Sequence, residues 1–289
     1  TIPQQSYHYV REILETEVFP NRDPDLGSQI TNLAVLDVAY YPQERGPNNY
    51  TINGLKANGS LYNPTENWGG IMRKLETNDF EAANIEFIEF WMMDPFNNED
   101  GLINHNGGDL YINLGNVSED VLKDGHKSFE NGLPINSNVI DVDTTQWGRV
   151  PTNFSIVEAF DNDPLSREFQ DVGLDGLSNN DEKLFFDSNY LQQIETLYGS
   201  SSIAYQNAIS DPSGDDFHYF RGTDFDNLST DILNRYKNYN NTDGNSSTSE
   251  QSVESYPTSA SAQPNSEDIN RDNTLSETES YFQYKLRLF

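Results

Sequence analysis

Two acidic loops hold the residues whose types and spacing suit chemistry, and that chemistry is the binding of a hard cation. Residues 171–182, DVGLDGLSNNDE, can be laid on a twelve-position calcium loop. Asp171 takes position 1 and Asp175 position 5. Gly176 falls where the tight turn is needed, Leu177 offers its carbonyl, Asn179 takes position 9, and Glu182 takes the bidentate position 12. Gly173 stands at position 3, where an oxygen ligand is usual, so the set is one ligand short. Residues 268–279, DINRDNTLSETE, match more fully. Asp268, Asn270, Asp272, the Thr274 carbonyl, Ser276 and Glu279 fall on ligand positions. Asn273 replaces the turn glycine and tolerates the left-handed conformation, and Leu275 sits where a side chain packs inward. Calcium is therefore the expected structural cofactor. The competing reading is that such acidic runs are helix N-caps without metal. Asp161, Asp163 and the acids of residues 211–216 are a weaker signal for further cation sites.

No catalytic constellation accompanies these loops. His8, His105, His126 and His218 are scattered, without HExxH or i, i+4 pairing, and no GxSxG, phosphate-loop or dinucleotide glycine motif occurs. Glu86 and Glu89 flank aromatic residues, as carboxylates do in some glycosidases, but are read as solvated strand residues among 47 acids. Trp68, Trp91 and Trp147 are read as core residues rather than platforms for sugar rings. The chain is expected not to be an enzyme.

The chain has 289 residues, with 17 basic residues against 47 acidic ones and a formal charge of −30. Such a charge repels nucleic acid and anionic membrane surfaces and favours divalent cations. Cysteine is absent, which excludes disulfides, thiolate catalysis and a cysteine-based zinc site. The longest apolar run, near residues 85–93, is too short and too charged for a membrane helix. The opening residues, TIPQQSYHYVREI, lack the pattern of a signal peptide. The ends look continuous with further sequence, as those of a fragment would.

The elements that must position these loops follow from periodicity. Residues 81–120 hold the densest apolar sequence. Alternation predicts a strand over 84–94 and another over 109–114, paired antiparallel through a Gly-rich link. Residues 31–41 predict a strand covered on both faces, and 50–52, 59–62, 71–75, 139–142 and 154–159 shorter ones. Helices are predicted over 7–17 and from Ser118 to about 130, then over 181–187, 190–197, 203–209 and 223–239. Residues 240–263 are low-complexity sequence, and YFQYKLRLF at 281–289 reads as a strand. The expected architecture is α+β, mainly β: a jelly-roll-like antiparallel β-sandwich over residues 1–160, then a helical, acidic-loop region over 161–289 whose last strand returns to the core or to a parent barrel.

Long motifs carry a family resemblance. They are REILETEVFPNRD from Arg11, AYYPQERGPNNY from Ala39, WGGIMRKL from Trp68, NIEFIEFWMMDPF from Asn84, GGDLYINLGNVSEDVLKDGHKSFENGLP from Gly107, DVGLDGLSNNDE from Asp171 and EDINRDNTLSETESYFQYKL from Glu267. Together they resemble SprA (Sov in some members), the giant outer-membrane translocon of the Bacteroidetes type IX secretion system. The resemblance implies a non-enzymatic part of a single-chain β-barrel that serves protein export and gliding motility. The implied partners are the rest of that barrel, a partner barrel, a plug protein and exported substrates. It assigns no catalytic residues. Because the chain lacks the long succession of alternating strands that a barrel demands, the expected piece is a soluble cap-like or periplasmic insertion, the acidity favouring the extracellular face. The rival reading is a carbohydrate-binding β-sandwich of a surface protein, which rests on fold pattern and tryptophans alone.

Overall fold

A computed structural model of the chain describes residues 4–22, 31–77, 79–96, 107–129, 141–152, 172–216, 220, 223–238 and 266–288. The fold is α+β, with short helices and two small antiparallel sheets. A 3-10 turn at Gln4–Ser6 and α1 (Glu15–Val18) open the chain. They are followed by β1 (Gly108–Asn116), β2 (Val142–Thr144) and β3 (Arg149–Pro151). The helical region holds α2 (Asn179–Phe185), a π-helical turn (Asp187–Leu191), α3 (Gln192–Tyr198), α4 (Ile203–Ser210), α5 (Thr223–Leu228) and α6 (Ile232–Lys237). Strand β4 (Ser280–Leu288) ends the described chain.

The helices start and stop where side chains satisfy their ends. Ser178 caps α2 through the Asp181 N–H, Ser202 caps α4 through the Tyr205 N–H, and Asp231 caps α6 through the Asn234 N–H at 2.9 Å. Gly199 closes α3 with a φ of 82°. The predicted helix over 223–239 is split into α5 and α6, because Ser229 turns left-handed at φ 53° and Asp231 caps anew.

The core lies in this helical region. Leu177, Phe186, Tyr190, Leu191, Ile194, Ala204 and Ala208 pack with Leu55 and Leu61 from an irregular loop, and Tyr50 stacks on Phe186 at a centroid separation of 4.1 Å. Residues 50–62 therefore wrap the helices, tied to them by Tyr198 Oη donating to the Leu55 carbonyl.

The described strands do not assemble the predicted sandwich. Strand β1 pairs not with 84–94 but with β4, in register from Gly108↔Leu288 to Asn116↔Ser280. The described strands form two ribbons of two strands each, and no jelly-roll is built from them. Residues 33–40 and 85–94 carry no regular secondary structure and enter no ladder with described residues. Their side chains stay outside, with Leu36 73% and Phe87 74% exposed. Both faces of these segments are apolar, so they ask for cover on two sides, and the described residues supply little beyond the edge-to-face contact of Phe19 with Trp91 at 5.7 Å. The predicted helix from Ser118 is a chain of bends instead, held by Glu267 accepting the Leu122 and Ser128 N–H groups at 2.8 and 3.1 Å. Strand 154–159 and segment 240–263 lie outside the described residues. Trp68 is 86% exposed and Trp91 is also exposed, while Trp147 is half-buried against Tyr50, so the expectation of three core tryptophans holds in part for one.

Candidate cation site

The first acidic loop is shaped by two glycines. Gly173 and Gly176 take φ values of 64° and 67°, which costs little for glycine and curls residues 173–176 into a turn. The Leu177 N–H donates to Asp175 Oδ1 at 2.9 Å, locking that side chain inward. Ser178 then starts α2, whose first turn carries Asp181 and Glu182. The two acids diverge. Asp181 reaches outward to the Arg149 guanidinium at 2.9 Å, while Glu182 points into the interior and is fully buried.

A second turn, after α4, closes over the first. Asp211 accepts the N–H groups of Gly214, Asp215 and Asp216, and Arg45 fastens the same turn through the carbonyls of Asp211 and Pro212 at 2.8 and 2.6 Å. Ser213 is thereby fixed between the two buried acids. Its N–H donates to Glu182 Oε2 at 3.1 Å, and its hydroxyl donates to Asp175 Oδ2 at 2.5 Å. The Tyr50 hydroxyl lies 2.8 Å from Ser213 Oγ and is left to donate to it. Burial first, and then the Asp175 charge, hold the Tyr50 hydroxyl far above the ordinary tyrosine range, so it stays a donor.

The result brings Asp175, Glu182 and Asp215 together, one oxygen from each lying within 4.8 Å of the others. Burial, and next the Asp175 charge, push the Glu182 carboxyl well above the usual carboxylate range. Gly173 makes room for the third acid: a Cβ at this position would fall on the Asp215 carboxylate. The position that lacked a ligand in the sequence pattern is thus the position through which Asp215 enters. Nothing in the local spacing announces Asp215, Ser213 or Tyr50; the available signals were the vacant third position and the acidic run at 211–216.

Of the ligands predicted in this loop, Asp175 and Glu182 are brought together. Leu177 is buried in the core, Asn179 turns away to donate to Asp216 Oδ2 at 2.6 Å, and Asp171 lies outside the described residues.

In the second loop the predicted ligands are engaged by protein partners. Asp268 is buried and its Oδ2 meets Lys127 Nζ at 2.7 Å, while its two oxygens also accept the Asp272 and Asn273 N–H groups. Asn270 Oδ1 accepts the Asp272 N–H, and Asp272 Oδ1 accepts the N–H and hydroxyl of Thr274. Glu279 reaches out to the Ser118 N–H. The buried Glu119 carboxylate accepts the N–H groups of Asn270 and Ser276 at 3.0 and 3.1 Å. The loop therefore presents backbone N–H groups to a carboxylate and gives its leading aspartate to a lysine. Asn273 does adopt the left-handed turn expected of it, at φ 65°. Of the other predicted chemistry, His8 bonds to the Asp94 carbonyl at 2.7 Å, and Glu86 and Glu89 are exposed.

Residues 189–289 match the SprA_N family, described as motility related/secretion protein, which bears out the resemblance to SprA. None of the curated proteins matches the chain significantly. The chain is accordingly related to secretion and motility machinery of the cell envelope. Among the described residues no helix is long and apolar enough to cross a membrane.

Proposed function

We propose that this SprA-related chain is a non-enzymatic part of the outer-membrane protein-export channel of the type IX secretion system, acting in protein translocation and gliding motility. The observation that carries the reading is the β1–β4 ribbon. Its nine paired positions separate into two chemistries. Leu110, Ile112 and Leu114 stand opposite Leu286, Tyr284 and Phe282 on one face. Asp109, Tyr111 and Asn113 stand opposite Arg287, Lys285 and Gln283 on the other. The polar face is knit across the strands: Lys285 pairs with Asp109 at 2.7 Å and lies over the Tyr111 ring, and Gln283 donates to Asn113 at 3.1 Å. The apolar face is half-buried along β1 and open along β4, with Phe282 75% exposed.

About nine to eleven residues per strand, alternating apolar outward and polar inward, is the pattern of a β-barrel wall in a membrane. A ribbon of two strands also leaves two unpaired edges, and closure into a larger sheet removes them. In this reading the ribbon belongs to the wall, and the helical lobe with its acidic loops is the cap-like or periplasmic part beside it. The chain's −30 charge and its acidic loops suit the extracellular face. The implied partners are the remainder of the barrel, the partner barrel, the plug protein and the exported chains.

The two faces supply the test. Ile112→Arg and Leu286→Arg, introduced into the full-length secretion protein in its own cell, are expected to abolish outer-membrane assembly, secretion and gliding, since a cation near the bilayer midplane costs about 2–4 kcal/mol. Asn113→Arg and Gln283→Arg on the opposite face are expected to leave assembly intact. Equal tolerance of both pairs would sink the wall assignment, and specific sugar binding lost with Trp68→Ala would favour the carbohydrate-binding reading instead.

A further inference from the structure

The cluster at Asp175, Glu182 and Asp215 goes beyond the channel reading and stands independently of it. Three carboxylates converge from three separate stretches of chain: the 173–176 turn, the first turn of α2 and the turn after α4. Asp175 is 1% exposed and Glu182 has no exposed surface. Glu182 spends only one oxygen on the protein. Its Oε2 accepts the Ser213 N–H, whereas Oε1 is buried and has no hydrogen-bond partner among the described residues. No described lysine or arginine pairs with Glu182 either. A buried carboxylate oxygen without donor or counter-charge is costly and calls for a ligand that supplies positive charge.

We propose that Asp175, Glu182 and Asp215 bind a divalent cation of the calcium class that clamps the 173–176 turn, α2 and the 211–216 turn to one another. All-oxygen ligands select a hard cation, and the absence of histidine or cysteine from the cluster argues against a transition metal. The spacing suits calcium. With ligand oxygens about 2.3–2.6 Å from the ion, those on opposite sides lie about 4.6–5.2 Å apart, a span that holds all three oxygens of the cluster; magnesium's shell, at about 2.0–2.1 Å, is tighter and more rigid. The ligand set differs from the linear twelve-position pattern. Asp215 takes the role that Gly173 leaves vacant, and Asn179 takes no part. Ser213 positions two of the acids, and its hydroxyl is oriented in turn by Tyr50.

The rival state is a proton held among the carboxyls, and calorimetry separates the two. The 289-residue chain, stripped with EDTA, is titrated with calcium chloride and melted with calcium or with chelator. The expected result is one saturable high-affinity site and a melting temperature several degrees higher in calcium. Glu182→Gln and Asp215→Asn should each weaken calcium binding at least tenfold and remove the thermal shift. Glu182→Gln also reports on folding, since a neutral side chain of the same shape suits the buried position: in chelator it should melt at or above the wild-type temperature. Asp272→Asn in the second loop should leave calcium binding unchanged, and magnesium should bind at least tenfold more weakly. Absence of calcium binding to the wild-type chain would overturn the proposal. So would undiminished binding in Glu182→Gln and Asp215→Asn, loss of binding in Asp272→Asn, or equal affinity for magnesium.

Discussion

At the scale of single residues, the two acidic loops separate by what their carboxylates meet from far along the chain. The second loop has the fuller spacing, yet Lys127, 141 positions away from Asp268, brings its ammonium to that aspartate. Glu119, 151 positions from Asn270, draws the loop's N–H groups inward. In the first loop the long-range partner is Asp215, another acid, and the charge accumulates instead of cancelling. A spacing pattern registers the acids of one loop and is blind to the sign of what folds against them, which is why Asp175 and Glu182 were legible and Asp215 was not. The Lys127–Asp268 pair makes the point measurable. The two side chains are only 9% and 6% exposed, so removing the cation strands a carboxylate in the interior. Lys127→Met should destabilise the chain by about 3–5 kcal/mol in urea unfolding. A loss below about 1 kcal/mol, the range of exposed pairs, would show that the pair does not hold the loop.

At the scale of elements, helices were more legible than strands because their ends are chosen locally. Ser178, Ser202, Asp231 and Gly199 each fix a boundary with a neighbour a few residues away. A strand takes its partner from anywhere, and alternation does not say which partner it takes. Residues 109–114 were correctly given strand character but the wrong mate, since β4, 172 residues beyond Gly108 at its start, wins over the nearer 84–94. The most apolar stretch is consequently not the core. Ile194 in α3 has no exposed surface and packs with Leu191 and Ala204, whereas Phe87 stands in the open. Ile194→Ala should cost about 2–5 kcal/mol, and Phe87→Ala in the isolated chain about 0.5 kcal/mol or less, despite the larger side chain removed. Comparable losses in the two variants would put the core back in the 84–94 segment.

At the scale of the whole molecule, two features pull against each other. A charge of −30 on 289 residues favours solubility and separation, while exposed apolar segments over 33–40 and 85–94 and the apolar face of the β1–β4 ribbon favour contact. Apolar residues on both faces of a segment that joins no ladder among the described residues are what the proposed channel wall would cover. Backbone hydrogen bonding gives this a direct readout. In the isolated chain, amide hydrogens of residues 34–40 and 86–94 should exchange within seconds, as unpaired backbone does, while those of α3 and α4 are protected through the helical core. If the proposed channel assembly closes these two segments into ladders, they should gain at least a hundredfold protection in it, because ladder formation removes the solvent-exposed N–H groups. The α3 and α4 amides should change little, since their hydrogen bonds are complete within the chain. If 34–40 and 86–94 exchange as fast in the assembled protein as in isolation, these segments are exposed by design and not strands awaiting a neighbour. The wall assignment would then rest on β1 and β4 alone.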